Sequence, residues 1–317
     1  MTPYPIPAAQ AGQTLAAVLR ALRPGESWTQ VRALATGRRV ALNGALCMDP
    51  ARRVKEGEVV EVLAKPAPVV KGERAEGVVV RHLDEDVVVV EKASGISTVR
   101  HPAEREWDEK RRTLVPTLDD VVQEAIAIRY GKRKHDLPRL RIVHRLDKET
   151  SGLVVFARSI RAERELGRQF KAHTVVRRYV ALVQGAVTPR TISTWLVRDR
   201  GDGRRGSGPE GSGKRAVTHV DVLEKFPGFT LVACHLETGR THQIRIHLSE
   251  AGHPVCGEQV YTKRPDGTTV PDASGAPRLA LHAAELGFVH PATEKEMHWL
   301  MDPPPDLVRL IERLRKG

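Results

Sequence analysis

The chain has 317 residues, 40% of them hydrophobic, and 26 glycines bring its apolar share into the usual globular range. This excludes a disordered tail-like protein and allows one large domain, alone or with a small appendage. Lys and Arg outnumber Asp and Glu by 51 to 39, a formal charge of +12 and a pI near 9.9. An arginine-favouring genome produces such an excess; so does a polyanionic partner, because cationic side chains on phosphates release counterions.

In chain order, Leu15, Val18, Leu19 and Leu22 fall at i, i+3, i+4 and i+7 and predict a helix that Pro24 and Gly25 end. Ser27 followed by Gln30 is a capping-box start for a second helix, with Trp28, Val31, Leu34 and Ala35 as its apolar side. Gly37 closes it, "RRVALNGALCMD" predicts a hairpin turning at Asn43-Gly44, and "GEVVEVLA" supplies a closing strand. The Pro- and Lys-bearing stretch that follows predicts a linker over 66–76 between a small module, 1–65, and a large domain, 77–317. In the large domain "GVVVRHLDEDVVVVEKASG" reads as two strands joined by a charged turn. Thr117 with Asp120 caps a helix buried through Leu118, Val121, Val122, Ala125 and Ile126. "LVVFA" is a buried strand, Ala162, Leu166 and Phe170 mark another helix, and "RYVALVQG", "AVTHVDVL" and "FTLVACHL" are further strands. Arg198 to Arg215, rich in Gly, Ser and Arg, predicts a mobile loop. No βαβ repetition sets up a parallel sheet, so an α+β fold with a mixed, mostly antiparallel sheet is expected.

Several chemistries are disfavoured. Cys47, Cys234 and Cys256 are odd in number and lack paired spacing, giving no disulfide framework or structural zinc site and fitting a reducing cytoplasm. The start "MTPYPIPAAQ" lacks a signal core, and no window nears the ~20 apolar residues of a membrane span. His235, His242, His247 and His253 never form an HExxH pair, and no carboxylate completes a ligand set, so no metal is expected. Ser151 lies in T-S-G rather than in a nucleophile elbow, and no glycine loop for phosphates exists. What stands out is "HRLDKETSGLVVFAR", His144 to Arg158, where Asp147 is held among cations at the mouth of a strand.

Two resemblances give that stretch a meaning. The first block, through its two helices, "GRRVALNG" and "VKEGEVVEV", resembles the small RNA-binding module of a small-subunit ribosomal protein and of tyrosyl-tRNA synthetases. Arg32, Arg38, Arg39, Arg52 and Arg53 would there grip a folded RNA backbone, a solvated basic face being the alternative. H-R-L-D-x-x-T-S-G-L resembles the signature of the RluA-type pseudouridine synthases. The likeness continues in order through "EKASGIST", "RRYVALVQG", "GKRAVTH", "TGRTHQIRIHL", "GHPVCGE" and "LALHAAELGFVHP". With the N-terminal module, the chain is similar to the two-domain members that modify ribosomal RNA.

The resemblance implies a catalytic domain of pseudouridine synthase type that isomerises uridines in structured RNA without cofactor, ribosomal RNA being the preferred partner and tRNA a second. It implies Asp147 as nucleophile, Arg245 as its ion-pair partner and Tyr179 stacked on the target base. A carboxylate attacks only when ionised, a state that burial disfavours and a facing guanidinium favours. Arg145 would enter the helix stack and hold the flipped nucleotide out, flipping being required because a stacked base hides its glycosidic bond. Arg240, His242 and Leu281 join it as substrate contacts; His144 either does so or supports the loop. Thr150, Ser151 and Gly152 would shape the turn presenting Asp147, and the basic stretch Arg129–Arg145 would shape RNA contact. Two departures, Ala93-Ser94 for a proline-containing pair and Glu258 for an aspartate, bear on loop geometry. An RNA-binding protein without turnover and an RNA hydrolase stay as alternatives, and a monomer is the default.

Overall fold

The structure is a computed structural model that describes residues 3–37, 39–47, 50, 52–66, 73–75, 78–104, 106, 114–262, 268–269 and 271–316. The chain divides into two compact units, Met1–Lys71 and Gly72–Gly317.

In the first unit, helices α1 (Leu15–Leu22) and α2 (Trp28–Thr36) accompany a sheet of β1 (Tyr4–Pro5), β2 (Val40–Leu42), β3 (Ala45–Leu46) and β4 (Val59–Val62), ordered β1-β4-β2-β3 and antiparallel throughout. The capping box of α2 is formed: the Gln30 amide N–H donates to Ser27 Oγ, and Gln30 Oε1 accepts from the Ser27 amide. Asn43 and Gly44 both have left-handed φ, 51° and 77°, the geometry whose twist matches a two-residue hairpin. Leu15, Val18, Leu19, Val31 and Val40 are fully buried and form the unit's own core.

The second unit holds a twelve-stranded mixed sheet. It contains β5 (Glu73–Ala75), β6 (Val78–Leu83), β7 (Val87–Lys92), β8 (Arg141–Ile142), β9 (Ser151–Ala157), β10 (Val176–Gln184), β11 (Arg190–Val197), β12 (Gly206–Gly208), β13 (Lys214–Phe226), β14 (Phe229–Leu236), β15 (Leu281–Val289) and β16 (Glu296–Leu300). The main path runs β12-β11-β13-β14-β10-β15-β9-β7-β6-β5, with β16 on β15 and β8 on β9. Every pairing is antiparallel except β9 with β15. Helices α3 (Leu118–Arg129), α4 (Ile160–Ala172), α5 (Gln243–Glu250) and α6 (Pro305–Lys316) accompany it. All seven residues of β9 are buried, as expected of a strand with neighbours on both edges and cover on both faces. No described helix is long and apolar enough to cross a membrane.

Two expectations need correction. Glu73–Ala75, inside the stretch read as linker, pairs with Val78–Val80 as an edge strand of the large unit. Arg198 to Arg215 is anchored rather than mobile. It contains β12, and Glu250 on α5 accepts from both the Ser207 amide (2.9 Å) and the Ser207 hydroxyl (2.5 Å). Asp199 Oδ1 also accepts from the amides of Gly201 and Gly203, both at 2.8 Å. Composition alone could not reveal that these carboxylates tie down so flexible a sequence.

Candidate active site

Asp147 lies in the loop between β8 and β9, and its backbone is clamped from two sides. The Thr98 hydroxyl donates to the Leu146 carbonyl (2.7 Å) and accepts from the Leu146 amide (3.1 Å). On the other side Lys92 Nζ, at the end of β7, donates to the carbonyls of Ala93, Lys148 and Thr150 at 3.0, 2.9 and 2.7 Å. Lys92 is fully buried, and burial pulls its ammonium down to about 8 against the upward pull of Glu149 and Asp147. Ser94, one of the departures, donates its hydroxyl to the Glu149 carbonyl at 2.6 Å, so it joins the same clamp. The Thr150 amide closes the turn on the Asp147 carbonyl at 3.1 Å. Gly152 has φ 130°, and a Cβ there would collide with the Ala283 backbone on β15; only glycine lets β9 start there.

The loop opens into a cleft of about 630 Å³, within the range of small-molecule sites. His144, Arg145, Asp147, Tyr179, Arg240, His242, Arg245 and Leu281 all line it, so the structure brings the eight expected residues of the large unit together. A second cavity of about 390 Å³ continues past Asp147 and Arg145 toward Arg100, His101 and Glu258.

Tyr179 sits near the start of β10, where the pairing with β15 shifts register between Arg178 and Tyr179. The extra residue of this bulge, Ala284, is on β15, and the Tyr179 ring lines the cleft. Burial pushes its phenol up to about 12 against the opposing charge of Arg177, so it carries its proton at neutral pH. Arg245 projects from the first turn of α5. The Gln243 side chain fixes that helix start: its amide donates to the Val217 carbonyl and the Thr218 hydroxyl, both at 3.0 Å. Its carbonyl accepts from the Thr238 hydroxyl (2.7 Å) and the Arg240 amide (3.0 Å).

The expected Arg245–Asp147 pair exists, but it is not the principal one. Arg245 Nε and Nη2 each donate to Glu258 at 2.7 Å, while Nη1 lies 3.5 Å from Asp147 Oδ2 and 3.9 Å from Glu149. Glu258, noted in the sequence as a departure affecting loop geometry, is thus the residue that holds the guanidinium. Burial alone would lower the Arg245 pKa; the Glu258 hydrogen bonds and charge, then Asp147 and Glu149, outweigh it and raise it. Glu258 is held below its ordinary range by the same contacts, against its burial. His242 approaches the other oxygen, its Nε2 3.8 Å from Asp147 Oδ1.

Comparisons with known proteins place the chain in a family. Residues 86–250 match a family model described as RNA pseudouridylate synthase. The chain is 36% identical over 267 residues, 83% of this chain and 74% of the relative, to a ribosomal large subunit pseudouridine synthase D of Nitrosomonas europaea. The chain belongs to the RNA pseudouridylate synthase family. A Salmonella typhimurium relative, also a ribosomal large subunit pseudouridine synthase D, is 32% identical over 313 residues, 96% of this chain and 92% of the relative. The fold is shared with human RNA pseudouridylate synthase domain containing 4, with a TM-score of 0.58, 24% identity, and coverage of 74% of this chain and 92% of that one.

Within this family member the remaining expected residues divide. His144 is used by the protein: its Nε2 accepts from the Val155 amide (3.0 Å) and its ring stacks on Phe170 at 4.8 Å. Burial, then Arg177, pushes its pKa down to about 3, so the ring that supports the loop is neutral. Arg145 is exposed at the cleft edge, and Arg240 donates Nε to the Arg215 carbonyl at 3.1 Å. In the first unit Arg32 is exposed beside the Trp28 ring, 6.0 Å from its centroid, whereas three of its companions bond within the unit. Arg39 donates to the carbonyls of Leu63 and Ala64, Arg53 to that of Gly12, and Arg52 pairs with Glu58. Arg38 lies outside the described residues.

Among the described residues one cluster has a metal-like composition, His82, Asp84 and His290. His290 Nδ1 accepts from the amides of Ala292 (3.2 Å) and Thr293 (3.1 Å), so its Nε2 carries the proton it donates to Asp84 at 2.9 Å. Asp84 in turn accepts the amides of Asp86 and Val87, both at 2.8 Å, so the cluster ties off the turn into β7. Sequence reading missed Lys92, Tyr261 and the role of Glu258. For Lys92 the available signal was a lysine at the end of an apolar strand, just after Glu91, within the "EKASGIST" stretch.

Proposed function

We propose that the protein isomerises uridine to pseudouridine in structured RNA, with Asp147 as nucleophile. The observation that carries this reading is the position of the Asp147 carboxylate, facing Arg245 and His242 in a cleft whose wall also holds the Tyr179 ring. Attack of Asp147 on ribose C1′ breaks the bond to N1, whose electron pair leaves with the uracil. The freed base turns, its C5 displaces the carboxylate from C1′, the proton on C5 is then lost to solvent, and N1 takes up a proton in its place. Atoms balance within the substrate, so the reaction needs no cofactor. Arg245 compensates the carboxylate charge both before attack and when it is released. Tyr179 stacks on the base, a contact of ~1–3 kcal/mol that suits a base turning in its own plane. Arg145, exposed at the cleft edge, fills the place of the flipped nucleotide.

Ribosomal RNA is the preferred substrate in this reading, supported by the relatives' names and the separate basic N-terminal unit, with tRNA second. The three buried free cysteines suit a reducing cytoplasm. The test is nucleoside analysis of total RNA, taken from a strain lacking the protein and incubated with it in EDTA. New pseudouridine in unbroken RNA is expected. RNA that binds without change would favour a binding protein, and fragmented RNA a hydrolase.

A further inference from the structure

The two partners of Asp147 are both held by one short segment, Gly257 to Tyr261. Glu258 accepts Arg245 with both oxygens, and its Oε1 also accepts the amides of Gln259, Val260 and Tyr261 at 3.0, 2.8 and 3.3 Å. One carboxylate therefore orders both the guanidinium and the backbone that carries Tyr261. The Tyr261 carbonyl is further tied to α5 by the Ser249 hydroxyl at 2.7 Å. Its buried ring packs edge-on to His242, with centroids 5.6 Å apart, and lies 5.4 Å from the Arg245 guanidinium carbon. Its hydroxyl is 2.8 Å from His242 Nδ1.

The tautomer follows from the partners. A carboxylate oxygen only accepts, so closing the 3.8 Å gap from Nε2 to Asp147 Oδ1 into a hydrogen bond requires the ring proton of a neutral imidazole on Nε2. Nδ1 is then a lone pair, and the Tyr261 hydroxyl donates to it. His242 itself begins α5 in a left-handed conformation, φ 57°, a strain that a surface histidine without function has little reason to keep.

We propose that Tyr261 and His242 are positioning residues for the reaction: Tyr261 fixes the His242 tautomer so that Nε2–H faces Asp147 Oδ1, as Glu258 fixes Arg245 against Oδ2. The inference rests on the isomerase reading above. Gripped at both oxygens, the carboxylate keeps one orientation toward C1′, and the imidazole restores a hydrogen bond to it when it is displaced from the sugar. At 3.8 and 3.5 Å the two contacts are long in the free protein and tighten as the substrate closes the cleft. Burial lowers the His242 pKa, with Arg245 and Arg205 adding to this and Asp147 and Glu258 opposing it, so the neutral form is the working one.

The experiment is a double-mutant cycle on the full chain, read by single-site isomerisation kinetics. Tyr261→Phe keeps the ring and is expected to lower kcat roughly tenfold, the worth of about one hydrogen bond, with KM within about twofold. In a His242→Ala background the same change should cost nothing more, because Tyr261 acts through His242. His242→Gln, which keeps an N–H donor, should recover part of the loss. Additive losses, or a change confined to KM, would overturn the proposal. Nitrogen NMR of the wild type reads the tautomer without any activity: Nε2–H is expected, and Nδ1–H would overturn the proposal by itself. A wild type that isomerises no RNA would overturn the functional reading and this inference with it, whatever the tautomer.

Discussion

Arg52 in the first unit and Arg245 in the second make the same two-pronged contact with a glutamate. Arg52 reaches Glu58 at 2.9 and 3.4 Å, and Arg245 reaches Glu258 at 2.7 Å twice. The difference lies in exposure and in what is left over. The Arg52 side chain is 33% exposed, and Glu58 spends its remaining capacity on the Lys55 amide at 2.8 Å, which closes a turn. The Arg245 side chain is 5% exposed, and its third nitrogen faces Asp147 in a cleft. An arginine–glutamate fork is a structural element in one place and a device for presenting a donor in the other. Burial and the free nitrogen decide which.

Breaking the buried fork is the largest test of that difference. Glu258→Gln leaves the Arg245 charge buried without its main partner, a loss of ~3–5 kcal/mol by the usual cost of splitting a buried pair. Urea unfolding of the full chain measures it, and Glu258→Asp should lose less because the charge stays. The clamp behind Asp147 comes next. Lys92→Met strands three carbonyls that the ammonium now satisfies, and a loss of roughly 2–4 kcal/mol is expected, with isomerisation falling alongside. The folded Lys92 pKa of about 8 lies below its ordinary 10.5, so the unfolded chain binds the extra proton between them. Stability contributed by Lys92 therefore rises from pH 8 to 10.5, and the substitution should remove that slope.

Acid gives a smaller, distributed effect. Burial holds His144 at about 3 and His247 and His282 at about 4, from an ordinary 6.5. Their unfolded forms take up protons first, so stability is full above pH 6.5 and declines as pH falls toward 4. His247→Gln should flatten part of that decline in thermal melts across pH. Arg52→Ala should be the mildest change, ~1 kcal/mol or less in the first unit's stability, because the Arg52 side chain is a third exposed and the Lys55 amide stays on Glu58. A loss as large as that of Glu258→Gln would remove the contrast between the two forks.

Local signals in the sequence were legible because their causes are local. Ser27 with Gln30, Asn43 with Gly44, and the unbroken apolar run of β9 each carry their geometry within a few residues. Part of the cleft was legible as well, since the eight large-unit residues named from the ordered motifs are all among those that line it. What escaped was pairing at a distance. Glu258 meets Arg245 across 13 positions and a change of element, and Lys92 meets Lys148 and Thr150 across 56 and 58. The segment Arg198–Arg215 looked mobile because Gly, Ser and Arg favour solvent. Glu250, 43 residues beyond Ser207, is what holds it. Nor does a sequence display the carbonyls of Leu63, Ala64 and Gly12 that folding brings to Arg39 and Arg53.

The central claim is that the Asp147 carboxylate does the chemistry, and tritium release tests it most directly. RNA labelled at C5 of uridine, drawn from cells lacking the protein, would be given to wild type and to Asp147→Asn side by side, with RNA binding measured in parallel. Release by the wild type and none by the variant, at equal binding, is the predicted result. Equal release by both would contradict the role given to Asp147.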